Sequence, residues 1–138
     1  MTFEDLPRDA RTLPMTDPQV RADMIDLIVG DRDRILGCVG LWLCDEDLIA
    51  QQPIIVADLG KATPAKVRRI MEVMLKESIG PVFVGIGRVG SPLFTQADRD
   101  AALTITQVCR EQGVRCLGVY VATPSGVREL PKHLRLAS

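Results

Sequence analysis

The sequence predicts a single α/β (α+β) domain, and three observations support that class. The chain has 138 residues, about the size of one domain. Hydrophobic residues make up 46% of it and charged residues 25%, which is typical of a globular domain that buries its own core. Along the chain, segments of helical periodicity alternate with short apolar segments rich in β-branched residues. Such an alternation indicates helices that pack on a sheet.

The first part of the chain predicts an arm, a short helix and a connection. Residues 1–16 show no periodicity, and we interpret them as an N-terminal arm. Asp17 and Pro18 match the preferred cap and first position of a helix, whose apolar stripe ends at Gly30. We therefore assign residues 17–34 to a short helix and its connection.

A β-hairpin is predicted next. Residues 35–44 are almost continuously apolar, as in a strand that is buried on both faces. A short polar turn separates them from a second strand over residues 48–57, which favours antiparallel pairing. Pro53 cannot donate a backbone hydrogen bond, so we expect it at an edge or a bulge.

An amphipathic helix follows the hairpin, with Thr63 and Pro64 at its start. Its apolar residues recur three and four positions apart, which is typical of a helix that packs on a core. They are Val67, Ile70, Met71, Met74 and Leu75. We interpret the methionines among them as core residues.

The next segment predicts a strand, a loop and a second long helix. Residues 81–84 start the strand, and residues 85–94 form a glycine-rich loop. Thr95 then begins the helix, with Asp98 three positions later in the pattern of a capping box. Replacing Asp98 by Ala is therefore expected to cost about 0.5–2 kcal/mol, the range for a lost cap.

Two more strands complete the predicted domain. Residues 116–122 form the fourth strand, and a turn over residues 123–126 leads into a short fifth strand over residues 127–130. The main domain then covers residues 35–131, and we interpret residues 132–138 as a loose C-terminal tail.

The charge pattern excludes some classes of partner. The net charge is −1 and the basic residues are dispersed, so we expect no tight binding of nucleic acid. One local group, Lys66, Arg68 and Arg69, is interpreted as a solvated helix face.

The sequence also predicts a cytoplasmic protein that does not enter a membrane. Its longest apolar run, residues 35–44, is shorter than the ~20 residues that span a bilayer, and the first residues do not resemble a signal peptide. The four cysteines contain no Cys-x-x-Cys pair, so we interpret them as reduced core residues. They are Cys38, Cys44, Cys109 and Cys116.

The glycine-rich loop matches the pattern Gly-x-Gly-x-x-Gly at Gly85, Gly87 and Gly90. In dinucleotide-binding folds this pattern opens a helix directly and holds a pyrophosphate on backbone amides. Here Pro92 and Phe94 delay the helix, and the next strand ends without an acid for a ribose hydroxyl. We therefore expect no bound dinucleotide.

Five short segments carry a resemblance to a known family. They are Leu48-Ile49-Ala50, Thr63-Pro64-Ala65-Lys66-Val67, Thr95-Gln96-Ala97-Asp98-Arg99, Gln112-Gly113-Val114-Arg115-Cys116-Leu117 and Ser125-Gly126. Over about residues 36–130 the chain resembles the JAB/MPN domain of bacterial RadC-like proteins, a family of zinc-dependent hydrolases.

The family's zinc site implies which positions should carry chemistry. Two histidines of a His-x-His motif and the aspartate of a Ser-x-x-Asp motif hold the zinc, and an upstream glutamate is the general base. The matching positions here are Gly85, Gly87, Thr95, Asp98 and Gln52, and a further family histidine falls near Val119. Glycine has no ligand atom and an amide cannot shuttle a proton, so the resemblance implies a chain without metal, cofactor or catalytic residues.

The resemblance thus implies a curved mixed sheet flanked by helices, in a silent domain that acts as a protein-interaction or scaffold module. Its partner would be another protein, and no feature of the sequence specifies an oligomeric state. Two alternatives stay open: small-ligand or nucleotide binding at the Gly85–Gly90 loop, and a JAB-type hydrolase with relocated site residues. The resemblance also implies a vestigial active-site cleft. The polar residues of interest around it are Asp58, Arg88, Ser91, Thr95 and Asp98. His133, the one histidine, is expected at the surface.

Overall fold

A five-stranded mixed sheet runs through the middle of the fold in the computed structural model, which describes residues 13–135. The strands lie in the order β2-β1-β3-β4-β5. The β3–β4 pair is parallel, and the other three pairs are antiparallel. The strands are β1 (Cys38–Cys44), β2 (Ala50–Val56), β3 (Val82–Gly87), β4 (Cys116–Thr123) and β5 (Gly126–Glu129).

The helices cover both faces of this sheet. They are α1 (Pro18–Ile28), α2 (Asp31–Leu36), α3 (Pro64–Met74), α4 (Gln96–Glu111) and α5 (Lys132–Arg135), with a 3₁₀ turn at Leu75–Glu77 after α3. Helix α1 packs on one face, and α3 and α4 pack on the other. The predicted α/β (α+β) class in a single domain is confirmed.

The two faces of β3 belong to different cores. Val82, Val84 and Ile86 lie in the core under α3 and α4. Phe83 faces the other way, into the smaller core under α1, where its ring lies edge-on to Tyr120 at 6.4 Å. Each such large side chain contributes about 1.5–3 kcal/mol by its burial. The two-sided burial explains why the strand sequence is apolar throughout.

The predicted hairpin of β1 and β2 is confirmed, and Pro53 lies on the edge strand as expected. The N–H of Cys44 donates to the carbonyl of Pro81 on the β3 side at 2.9 Å. Trp42, two residues earlier on β1, therefore also directs its backbone groups towards β3. Its partner Pro53 consequently stands where β1 requires no donor.

The predicted start of β1 was wrong by three residues. Ile35 and Leu36 end helix α2, and the strand begins only at Cys38. Gly37 separates the two elements with φ of +83°, and an added Cβ there would lie 2.0 Å from the carbonyl oxygen of Gly60. Only glycine permits this close approach, which closes the helix and turns the chain into the sheet.

The predicted glycine-rich loop was also placed too early. Gly85 and Gly87 are the fourth and sixth residues of β3, which pairs with β1 and β4 up to Gly87. Packing on both faces overrides the low strand propensity of glycine here. The turn starts at Arg88, and Gly90 has φ of +100° within it.

Both ends of the described segment are more ordered than the sequence suggests. Met15 is fully buried, and its N–H donates to the carbonyl of Leu48 at 2.8 Å, so the end of the expected arm packs against the hairpin. Residues 132–135 form helix α5 where the sequence predicts a loose tail, because Leu134 packs against the larger core. Residues 1–12 and 136–138 of the predicted arm and tail lie outside the described segment.

Candidate functional site

The two glycines at the expected histidine positions face helix α1, and their space is already filled. A Cβ on Gly85 would lie 2.6 Å from Cγ2 of Ile25. A Cβ on Gly87 would lie 2.5 Å from the sulfur of Cys38 and 3.1 Å from Val29. Gly85 therefore lets α1 approach the sheet closely, and Gly87 makes room for Cys38 and Val29, so neither position has space for a ligand side chain on this face.

Asp98 lies with the other layer of helices, at the start of α4. The predicted capping box is confirmed: Thr95 Oγ1 accepts a hydrogen bond from the N–H of Asp98, and Asp98 Oδ2 accepts one from the N–H of Thr95. The carboxylate is 2% exposed, and both of its oxygens also accept from Arg88 at 2.8 Å. It is thus committed to a cap and an ion pair.

The remaining positions of interest do not join Asp98 in one cluster. Gln52 is exposed on the edge strand β2, separated from β3 by the whole of β1. Val119 is buried in β4 against the larger core. Asp58 is exposed after β2 with φ of +58°, and His133 is exposed on α5.

A cleft of about 580 Å³ opens at the end of β3, between the N-termini of α3 and α4. We name it the β3 cleft. Small and apolar residues make up most of its wall: Ile35, Ala62, Pro64, Ile86, Val89 and Ala97. Ile35 and Val89 are 62% and 53% exposed at its rim. Gly87 and the Arg88–Asp98 ion pair also border it, so this is where the structure brings three of the positions named from the sequence together.

Arg88 holds the turn that follows β3. Besides its two bonds to Asp98, its guanidinium donates to the carbonyls of Val89, Ser91 and Leu93 at 3.0, 2.8 and 3.0 Å. Ser91 Oγ accepts from the N–H of Leu93 at 3.1 Å. Carbonyl oxygens therefore converge on a cation inside the turn. A pyrophosphate loop needs the opposite arrangement, with N–H groups that converge on an anion.

The described residues 13–135 contain no group of three or more His, Cys, Asp or Glu side chains arranged to hold a metal ion. Within the same residues, no helix has both the length and the apolar character to cross a membrane. No family model and no curated protein matches the sequence of this chain.

The sequence singles out Arg88 and Asp98 near a cleft, but it does not indicate which apolar residues form the wall beside them. Its wall combines residues from α2, the loop before α3, β3 and α4, which lie far apart along the chain. Ile35 was assigned to a strand, so its exposure was not foreseen. The alternation of apolar residues at positions 82, 84 and 86 was the one signal that could have extended β3 to the cleft.

Proposed function

We propose that this chain is a catalytically silent, JAB/MPN-like binding domain, and that its β3 cleft holds an apolar segment of a partner protein. The observation that carries the proposal is the nature of the cleft. An exposed apolar rim leads into a hollow walled mostly by small and apolar side chains, and the charges of Arg34, Arg88 and Asp98 at its border are already paired. Such a site attracts apolar side chains.

The non-catalytic part of the proposal is supported by the commitments of the candidate residues. Asp98 already accepts three hydrogen bonds, from Arg88 and from the N–H of Thr95. Gly85 and Gly87 have no room for a larger side chain beneath α1. A hydrolase needs a free base or nucleophile near a metal or an oxyanion site, and the paired carboxylate at this cleft supplies neither.

The protein partner is favoured by the position of Ile35 and Val89. Both large apolar side chains are more than half exposed at the mouth of one cleft, which is where an interface would bury them. Interfaces concentrate their binding energy where an anchor side chain of one partner fills a pocket of the other. We expect the partner to meet the domain in the cytoplasm, where the four free thiols would remain reduced.

Selection of peptides from a random display library on the purified protein tests this proposal. We expect the enriched peptides to carry a large apolar anchor residue. Replacing Ala97, which is exposed on the cleft wall, by Trp should fill the cleft and weaken their binding by at least about tenfold, or ~1.4 kcal/mol. Ile79→Trp is the matched control, because Ile79 is 68% exposed and lies outside the cleft.

The outcome separates partner binding from its alternatives. Enriched peptides that bind wild type and Ala97→Trp equally would place recognition elsewhere and overturn the proposal. A small apolar ligand is the second candidate, since about 580 Å³ lies within the usual range of ligand pockets. It would raise the melting temperature of wild type but not of Ala97→Trp, while the library yields no peptide.

A further inference from the structure

A second cavity, of about 930 Å³, lies at the start of β4, at the opposite end of that strand from its turn into β5. Strand β5 has four residues and pairs only with Tyr120–Thr123, so the first half of β4 has no strand beside it on that edge. The cavity occupies this gap, between the side of α1 and the helices α4 and α5.

The charge of this cavity is strongly unbalanced. Of the residues that the structure describes, five cationic side chains and one carboxylate border it: Arg21, Arg110, Arg115, Lys132, Arg135 and Glu129. We name these six residues the cationic groove. The chain as a whole has a net charge of −1, so the excess of positive charge is a local property.

Among the described residues 13–135, Arg21 is the one cation of the cationic groove that lies in an ion pair. Arg21 lies 3.5 Å from Glu129 and also donates to Tyr120 and to the carbonyl of Met15. Gly118 makes room for this pair, since a Cβ there would lie 2.6 Å from the Glu129 carboxylate. Over residues 13–135, the other four cations form no ion pair and no side-chain hydrogen bond, which leaves them available to a ligand.

Arg135 is the decisive residue of the cationic groove. It is 6% exposed, yet its Nε has no hydrogen-bond partner in the part of the chain that the structure describes. Arg34 is buried to the same degree, at 5% exposed, and forms four hydrogen bonds. A buried guanidinium without acceptors is unfavourable, and native proteins rarely leave one so. Within residues 13–135, Nε of Arg135 therefore lacks an acceptor, which a bound anion would provide.

Two thiols on the wall of the same cavity, Cys109 and Cys116, add support for an anion site. The pKa of the Cys116 thiol is lowered, first by its hydrogen bond with Cys109 and then, against the opposing effect of burial, by the positive charges of Arg135 and Arg21. In contrast, burial raises the pKa of Cys38 and Cys44 to about 11 and about 12. The charges of Arg135 and Arg21 thus contribute to the stabilisation of a negative charge at Cys116, whereas at Cys38 and Cys44 the effect of burial outweighs the charge of a nearby arginine.

We propose that the cationic groove is a binding site for a small oxyanion of the phosphate-monoester class, with Arg135 as its central ligand. A guanidinium fork matches the oxygens of a phosphoryl group, and the rim cations Arg110, Arg115 and Lys132 supply further positive charge. The site is independent of the β3 cleft and requires no partner protein.

Titration with inorganic phosphate and with a sugar phosphate, followed by calorimetry at low salt, tests this proposal. We expect saturable binding with Kd of about 1 mM or tighter, and a loss of at least about tenfold in Arg135→Met. Arg135→Lys, which keeps the charge but not the fork, should fall between the two. The matched control is Arg99→Met on α4, an exposed arginine outside the groove, with affinity unchanged within about twofold.

Alkylation of Cys116 gives a second measurement on the folded protein. We measure the ratio of the alkylation rate with iodoacetate, an anion, to the rate with neutral iodoacetamide. This ratio should be higher for Cys116 than for a free thiol in solution. Added phosphate should slow the reaction of Cys116 with iodoacetate. Cys116→Ser identifies the modified thiol, and the preference for the anion should disappear in Arg135→Met.

Three results would overturn the proposal. They are absence of saturable phosphate binding, equal binding by wild type and Arg135→Met, and tighter binding of a single-stranded oligonucleotide that needs Arg110 and Lys132 but not Arg135. Peptide binding at the β3 cleft should be unchanged in Arg135→Met, so this test and that of the proposed function can fail separately.

Discussion

Two arginines, Arg88 at the β3 cleft and Arg135 in the cationic groove, show how differently this fold treats a buried or half-buried positive charge. Arg88 donates five hydrogen bonds, to both oxygens of Asp98 and to three backbone carbonyls. Arg135 is more deeply buried and forms no side-chain hydrogen bond to any residue from 13 to 135. A buried charge whose hydrogen bonds are all formed within the fold stabilises the structure. A buried charge without hydrogen-bond partners indicates a binding position for a ligand.

The largest loss of stability is expected from Asp98→Ala, which removes the carboxylate that pairs with Arg88. The substitution leaves the Arg88 guanidinium near the core without its carboxylate and also deletes half of the capping box. We therefore expect a loss of about 3–5 kcal/mol in the free energy of unfolding, more than the loss of a cap alone.

Chemical denaturation measures this loss, and Asp100→Ala is the matched control. Asp100 lies in the same turn of α4, and among the described residues its carboxylate accepts one hydrogen bond, from the side chain of Gln96 at 2.9 Å, so its loss should stay within about 0.5 kcal/mol. A cost for Asp98→Ala no larger than that of its neighbour would show that the Arg88–Asp98 pair adds nothing to stability.

An intermediate loss of stability is expected on the face of β3 that packs against α1. Gly85→Ala brings a Cβ to 2.6 Å from Cγ2 of Ile25, so helix α1 must shift. Overpacking of this kind costs about 1–3 kcal/mol, which thermal or denaturant unfolding would detect. Histidines at positions 85 and 87 should for the same reason disrupt the fold before they form a metal site.

Gly30→Ala serves as the control for Gly85→Ala. Gly30 has φ of −69°, and an added Cβ would meet nothing closer than 4.0 Å. Its substitution should change stability by only about 0.5 kcal/mol. Equal, small effects at both glycines would mean that α1 does not seal this face.

The smallest effect on stability is expected from Arg135→Met. Because no described residue accepts from Arg135, the substitution removes no hydrogen bond or ion pair within residues 13–135, keeps an apolar stem in place and relieves the burial of a charge. The free energy of unfolding should stay within about 0.5 kcal/mol or rise. Arg34→Met, at an equally buried arginine with four hydrogen bonds, should cost several times as much. A large loss for Arg135→Met would show a structural role and remove the contrast between the two arginines.

Much of the fold could be predicted because its signals are local. The capping box at Thr95 and Asp98, the amphipathic pattern of α3 and the edge position of Pro53 depend on neighbouring residues or on a missing donor. The start of β1 and the end of β3 could not be placed in this way. The space that a side chain would need at Gly37 and Gly87 is taken by the loop at Gly60 and by Cys38, which are distant in sequence.

The candidate site was predictable only in part, since its residues are distant in sequence. Asp98 and Arg88 were selected from a motif, but their mutual bonds follow from the way α4 returns onto the end of β3. The cationic groove had no signal at all. Its basic residues are dispersed over positions 21 to 135, and a dispersed pattern is typical of solvated surface.

The sequence by itself determined the class of the fold, the type of most elements and the absence of histidine from the positions that the resemblance singles out. Periodicity, caps and turn residues act within a few residues of the chain, so these properties can be read without coordinates. Only the tertiary structure decided which charges are satisfied. Arg21, for example, donates to the hydroxyl of Tyr120, which lies 99 residues further along the chain. Arg34 donates to the carbonyl of Thr123, at a separation of 89 residues. Pairing over such distances depends on how the layers pack, which is a property of the folded chain as a whole.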